Sequence, residues 1–166
     1  MNTDIEEMLD LMDRAFQDFE NSMPNKPQFV QLSFGMAWRF KEKDIYQAMI
    51  QKLARVQSSV RAALLLLKNG FVQEQAVLQP TIDETNEDIM FLVYAVTNDS
   101  ITELHERFLE AFWEEEVDES GSMLSSKQKR PMIPRNKIRF YLAKIEGVAV
   151  DTGVAGRCFI VDIASG

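Results

Sequence analysis

Two long apolar stripes with a glycine between them restrict this chain more than any other feature. Ile45, Met49, Leu53, Val56, Val60, Ala63 and Leu67 recur at steps of three and four, the spacing that places side chains on one face of an α-helix. Asp44 stands where an N-cap belongs, and the run stops at Asn69-Gly70, since glycine readily takes the left-handed conformation that ends many helices. A second stripe follows almost at once: Leu78, Ile82, Thr85, Ile89, Leu92 and Val96, ending at Asn98-Asp99-Ser100. A connection this short forces the second helix back along the first. An antiparallel hairpin over 44–98 is therefore the frame on which the rest must pack.

The remaining segments extend the same pattern. Ile5, Met8, Met12, Phe16, Phe19 and Met23 form a stripe on a first helix, broken by Pro24 and Pro27, which cannot donate a hydrogen bond inside a helix. The aromatic stretch FVQLSFGMAWRF, 29–40, is open between a short helix and an extended packing segment, and helix is the expectation. Ser100 precedes Glu103 by the capping-box spacing, and Ile101, Leu104, Phe108 and Phe112 line a further helix. Residues 114–131 show no period and read as an exposed loop. RNKIRFYLAKI, 135–145, reads as a short basic amphipathic helix with Pro134 at its first turn. Pro80 lies inside the second hairpin helix and obstructs the carbonyl of Ala76. Either the helix kinks there and opens a cavity, or it starts at Thr81.

The expected fold is an all-α antiparallel bundle of four or five helices over 1–146. The Gly-rich tail, 147–166, is expected to be disordered, paired with a partner, or part of a longer region. Its strand-like run Cys158–Val161 has no evident partner. A chain of 166 residues with 46% hydrophobic residues can bury a single core.

Charge and composition narrow function by exclusion. A net charge of −8 opposes general nucleic-acid binding. One cysteine, Cys158, cannot close an internal disulfide, which favours a reducing compartment. No apolar run approaches the ~18 residues of a membrane span, and the acidic start MNTDIEEMLDLMDR is unlike a signal peptide. The expected location is the cytoplasm. No nucleotide-binding loop or nucleophile elbow is present, so no cofactor is expected.

Three sets of residues invite chemistry. Glu84, Glu87 and Asp88 share one helix face, with Asp83 offset from them. Hard carboxylate oxygens could hold Mg²⁺ or Mn²⁺. A di-iron centre would need Glu-x-x-His on two helices, whereas the single histidine is His105, with Thr102 where the glutamate belongs. The favoured expectation is that all four acids face solvent opposite the apolar stripe. His105 lacks an evident nucleophile or orienting group and is expected at the surface or boundary. The basic segment 127–144 follows the acidic segment 103–119. The expected outcome is mutual neutralisation, and the rival is a contact with an acidic partner or nucleic acid through Lys137, Arg139 and Tyr141, with aromatic stacking.

Residues 55–92, RVQSSVRAALLLLKNGFVQEQAVLQPTIDETNEDIMFL, resemble a helix–turn–helix hairpin of bacterial proteins related to the HEPN superfamily. In that hairpin an Arg-bearing, Leu-rich helix ends in Asn-Gly and is followed by a helix with an apolar run and a Glu. Arg61, Asn69, Gly70 and Glu84 are the matching positions, while Pro80 stands where the pattern has arginine. The resemblance implies a helical bundle linked to abortive infection or toxin–antitoxin systems. The superfamily's RNase activity resides in an Arg separated from a His by four to six residues. Ahead of His105 those positions hold Asn98, Asp99 and Ser100. The expectation is a catalytically silent member acting by protein–protein binding, as a homodimer or with another protein. The alternatives are a nuclease component whose active segment lies elsewhere, and a carboxylate metal-binding bundle.

Overall fold

The structure is a computed structural model that describes residues 2–32, 35–113 and 133–145. Helix α1 (Asn2–Ser22) is followed by strands β1 (Gln28–Leu32) and β2 (Gly35–Arg39). Helices α2 (Ile45–Lys68), α3 (Val72–Thr97), α4 (Glu103–Trp113) and α5 (Arg135–Leu142) complete the chain. Among the described residues the protein is mainly α-helical, as the periodicity requires. The 114–131 loop and the 147–166 tail, with Cys158, lie outside the described residues.

The α2–α3 hairpin forms as its signals dictate. Asp44 is extended, and its side chain accepts a 2.9 Å hydrogen bond from the backbone N–H of Gln47. That bond satisfies one of the four N–H groups a helix start leaves free. At the other end Gly70 takes φ +81°, a conformation costly for any residue with a Cβ. Phe71 then donates to the carbonyl of Leu66 at 2.9 Å, closing the turn. Helix α3 runs unbroken through Pro80, which sits on its exposed side. The ring removes a donor without ending the helix, so a separate start at Thr81 is ruled out.

Two expectations are corrected. The described residues of 29–40 are not helical: β1 and β2 form an antiparallel pair with Phe29 opposite Trp38 and Gln31 opposite Met36. Aromatic and β-branched residues gain more from cross-strand contact than from a helix stripe. The Phe29 and Trp38 rings lie 5.2 Å apart at 45°. Gly35, with φ +142°, occupies backbone space that suits glycine. The start of α4 also moves. Thr102, not Ser100, immediately precedes the helix, and its backbone N–H donates to His105 Nδ1 at 3.1 Å. His105 thus takes the place that Glu or Gln fills in the usual capping box.

The core lies at one end of the hairpin. Ile45, Ala48 and Met49 of α2 meet Phe91, Leu92 and Ala95 of α3, closed over by Phe108 of α4 and Ile138 and Leu142 of α5. Burying each large apolar side chain here contributes about 1.5–3 kcal/mol. The other end is far more open. Ala63 is the one fully buried residue of α2 beyond Ile50, and Leu65, Leu67, Phe71, Val72 and Val77 are all exposed. Helix α1 lies against α2, yet none of its described side chains is fully buried.

Candidate functional site

Glu87 and Asp88 do not face solvent. Both are buried to 1% exposure, which corrects the expectation of a wet carboxylate face. Helix α3 is covered on two sides. Its Thr85–Ile89–Leu92 stripe belongs to the predicted seam, while Glu87, Asp88, Phe91 and Ala95 form a second buried set. Helix α5 supplies cations to that second set. Single-helix periodicity reveals one stripe, and nothing in it announces that a later helix returns to cover the opposite face.

The carboxylates are bound by three cations from two other helices. Lys52 of α2 donates to Asp88 Oδ2 at 2.7 Å. Arg135 of α5 donates to both Asp88 oxygens, the second at 3.2 Å, and to the backbone carbonyl of Glu84 at 3.2 Å. Its Nε lies 3.7 Å from the Glu84 carboxylate. Arg139 Nε donates to Glu87 at 3.0 and 3.2 Å. Three acids thus meet three bases, and the cluster is formally neutral. Such pairs stabilise only when their remaining donors and acceptors are also satisfied, a condition Asp88 meets with bonds from two elements. Lys52 is held further by the rings of Phe108 and Phe112, 5.6 and 5.3 Å from its ammonium.

The electrostatics agree with a lock more than a reactive centre. Burial pushes the Glu87 carboxyl above its usual range, and Arg139 and Arg135 oppose this without cancelling it. Burial also works against the Arg135 charge, but Asp88, Glu84 and Glu87 outweigh it and hold its pKa above the ordinary value. The oxygens that would coordinate a divalent ion are occupied by guanidinium and ammonium groups. Among the described residues no cluster of histidine, cysteine and carboxylate side chains has metal-binding geometry.

His105 is buried completely, a second correction. Its ring stacks on Phe91 with centroids 3.9 Å apart and planes 12° from parallel. Tyr141 meets both rings edge-on, at 5.0 Å from Phe91 and 4.8 Å from His105. Because Thr102 N–H points at Nδ1, that nitrogen accepts, and Nε2–H donates to the Phe91 carbonyl at 3.2 Å. Burial lowers its pKa, with the bond to Phe91 opposing. A neutral imidazole with both nitrogens engaged cannot serve as a base without breaking the helix start it caps.

The basic helix is likewise turned inward. Arg139 and Tyr141 are taken up by Glu87 and the aromatic stack, whereas Lys137 is exposed. Among the described residues Arg135 and Arg139 are neutralised by α3, while 114–119 and 127–132 of the two segments lie outside those residues. Of the hairpin positions, Arg61 pairs with Asp13 of α1, Asn69 and Gly70 make the turn, and Glu84 rims the buried cluster. Arg61 therefore lies at the open end, far along α2 from Lys52.

A concavity among the described residues lies at that open end. Ile5 and Leu9 of α1, with Leu64, Leu65 and Leu67 of α2, line a groove of about 530 Å³ rimmed by Glu6, Arg61 and Lys68. Sequence periodicity places Leu67 in the buried seam; it is instead 44% exposed, and Leu65 is 63% exposed. Their burial would need a covering element that the described residues do not supply. Comparison with protein-family models, with curated proteins and with solved structures returned no match.

Proposed function

We propose that the protein works by association, presenting the apolar open end of its α2–α3 hairpin to another protein surface. The observation that carries this reading is the contrast between the two ends of one hairpin. Ala48, Phe91, Leu92 and Ala95 are completely buried, while Leu65, Leu67, Phe71, Val72 and Val77 stay in water beside the groove. Large apolar side chains exposed together at one end of a hairpin mark interaction sites. A catalytic reading has less support, because the titratable groups of the interior are paired with each other and enclosed. Within the HEPN-like resemblance, this favours a silent member over a nuclease component, since both ring nitrogens of His105 are occupied. The metal-binding alternative competes with Lys52, Arg135 and Arg139 for the same oxygens.

The test compares tagged wild type with a Leu65→Asp, Phe71→Ser variant. Both positions are exposed, so circular dichroism should show unchanged helicity. Expected is a stoichiometric complex, with itself or with one other protein, formed by the wild type and lost in the variant. Identical association behaviour of the two proteins would refute the reading.

A further inference from the structure

The β1–β2 hairpin stands apart from the bundle with its apolar side uncovered. Phe29, Met36 and Trp38 share one face by register and are 54%, 50% and 68% exposed. An isolated two-stranded ribbon is marginal in water, so this one needs cover. Exposed cations line it, with Lys26 before β1, Arg39 at the end of β2, and Lys41 and Lys43 after it, against Glu42 alone. Helix α1 has the complementary character. Its outer side exposes Met8 and Leu11, at 47% and 60%, among the exposed acids Glu6, Glu7 and Asp10. Over its whole length α1 holds seven acids and one base, Arg14.

Within the protomer the two surfaces do not meet: among the described residues the strands and α1 share no substantial contact. The hairpin starts six residues beyond the end of α1 and so belongs to the helix's C-terminal end, while Met8 and Leu11 lie toward its N-terminus. Over the intervening residues a helix rises about 1.5 Å each. Two copies of α1 laid antiparallel remove the difficulty, because each hairpin then falls over the first half of the other helix. We infer that the aromatic β1–β2 hairpin of one protomer docks on the acidic Met8–Leu11 side of α1 in a second copy, making a two-fold dimer. This contact is separate from the open end of the α2–α3 hairpin and goes beyond the association proposed for it. A two-fold arrangement makes the contact twice, pairing apolar with apolar and basic with acidic surface on each occasion.

Light scattering on size-exclusion fractions, over a concentration series, tests this with charge reversals at exposed positions. Lys41→Glu with Lys43→Glu, and separately Glu7→Lys with Asp10→Lys, should each turn dimer into monomer while helicity by circular dichroism is retained. Mixing the two variants should restore a dimer, since each acidic hairpin then faces a basic helix. Trp38→Ser should raise the dimer Kd tenfold or more, on the order expected for an interfacial tryptophan. A monomeric wild type overturns the inference, as does a dimer indifferent to both reversals or one that mixing fails to restore. Retention of a labelled single-stranded oligonucleotide by a monomeric wild type, lost with Lys41→Glu and Lys43→Glu, would reassign the hairpin. A monomer that still binds a different protein through Leu65 leaves the association reading intact and removes only this one.

Discussion

At the scale of single residues, Glu87 and Asp88 are neighbours with the same burial and opposite consequences when neutralised. Asp88 joins Lys52 of α2 to Arg135 of α5. Asp88→Asn leaves Lys52 without its carboxylate partner and Arg135 with only the longer contacts to Glu84 and Glu87, and should destabilise by roughly 3 kcal/mol. Glu87 already holds its proton more tightly than free glutamate because burial disfavours its charge. A neutral Glu87→Gln can still accept from Arg139, so its effect should stay within about 1 kcal/mol. Urea unfolding of the two variants distinguishes them, and equal losses would contradict this division. His105 adds a dependence on pH. Its folded pKa is depressed by burial, so the unfolded chain binds the extra proton first and stability is lost as pH falls below about 6.5 toward the folded value. His105→Gln should flatten that slope, measured as urea midpoints between neutral and mildly acidic pH. Glu87 acts oppositely: its raised pKa gives a contribution present at low pH and lost as pH rises through the folded value.

At the scale of elements, α1 is the least secured helix. Its polar attachment is Asp13, which accepts from Arg61 and Gln57 of α2. The Arg61 guanidinium holds the Asp13 carboxyl below the usual aspartate range. That contribution is present at neutral pH and disappears as pH falls through the lowered value, and it is small because the pair is exposed. Arg61→Ala should accelerate amide hydrogen exchange in residues 2–22 while leaving 85–95 unchanged; protection kept throughout α1 would show that its apolar stripe alone suffices. The elements themselves were legible to different degrees. The α2–α3 hairpin could be read because its caps, stripes and turn glycine all act locally, over a few residues. The 29–40 ribbon could not, because Phe29–Trp38 and Gln31–Met36 contacts cross between strands and leave no helical period to contradict. Glu87 and Asp88 were visible as a cluster but not as an interior one. Their burial depends on Arg135 and Arg139, which are some fifty residues away. His105 misled for a related reason: a polar side chain beside an apolar stripe looks like a boundary until Phe91 and Tyr141 close around it.

At the scale of the whole molecule, stability should be graded along the α2–α3 hairpin. Amides near Phe91, Leu92 and Ala95 sit in a core closed by three other helices and should open only with global unfolding, whereas those near residues 65–77 should open locally. Native-state hydrogen exchange would display this as a gradient of protection, and uniform protection along both helices would contradict it. The candidate binding surface thus falls on the less protected half, where a partner can order side chains without disturbing the core.

Met23 is the sole fully buried side chain among those described ahead of Ile45. Besides that thioether, the first quarter of the chain is held by Phe19 half-buried against the core and by Asp13 bound to Arg61 and Gln57, so replacing what precedes Met23 removes little fully buried interior. That portion can be redesigned, grafted or shortened while the body keeps its shape, so new binding habits could be acquired there without renegotiating how the remainder folds.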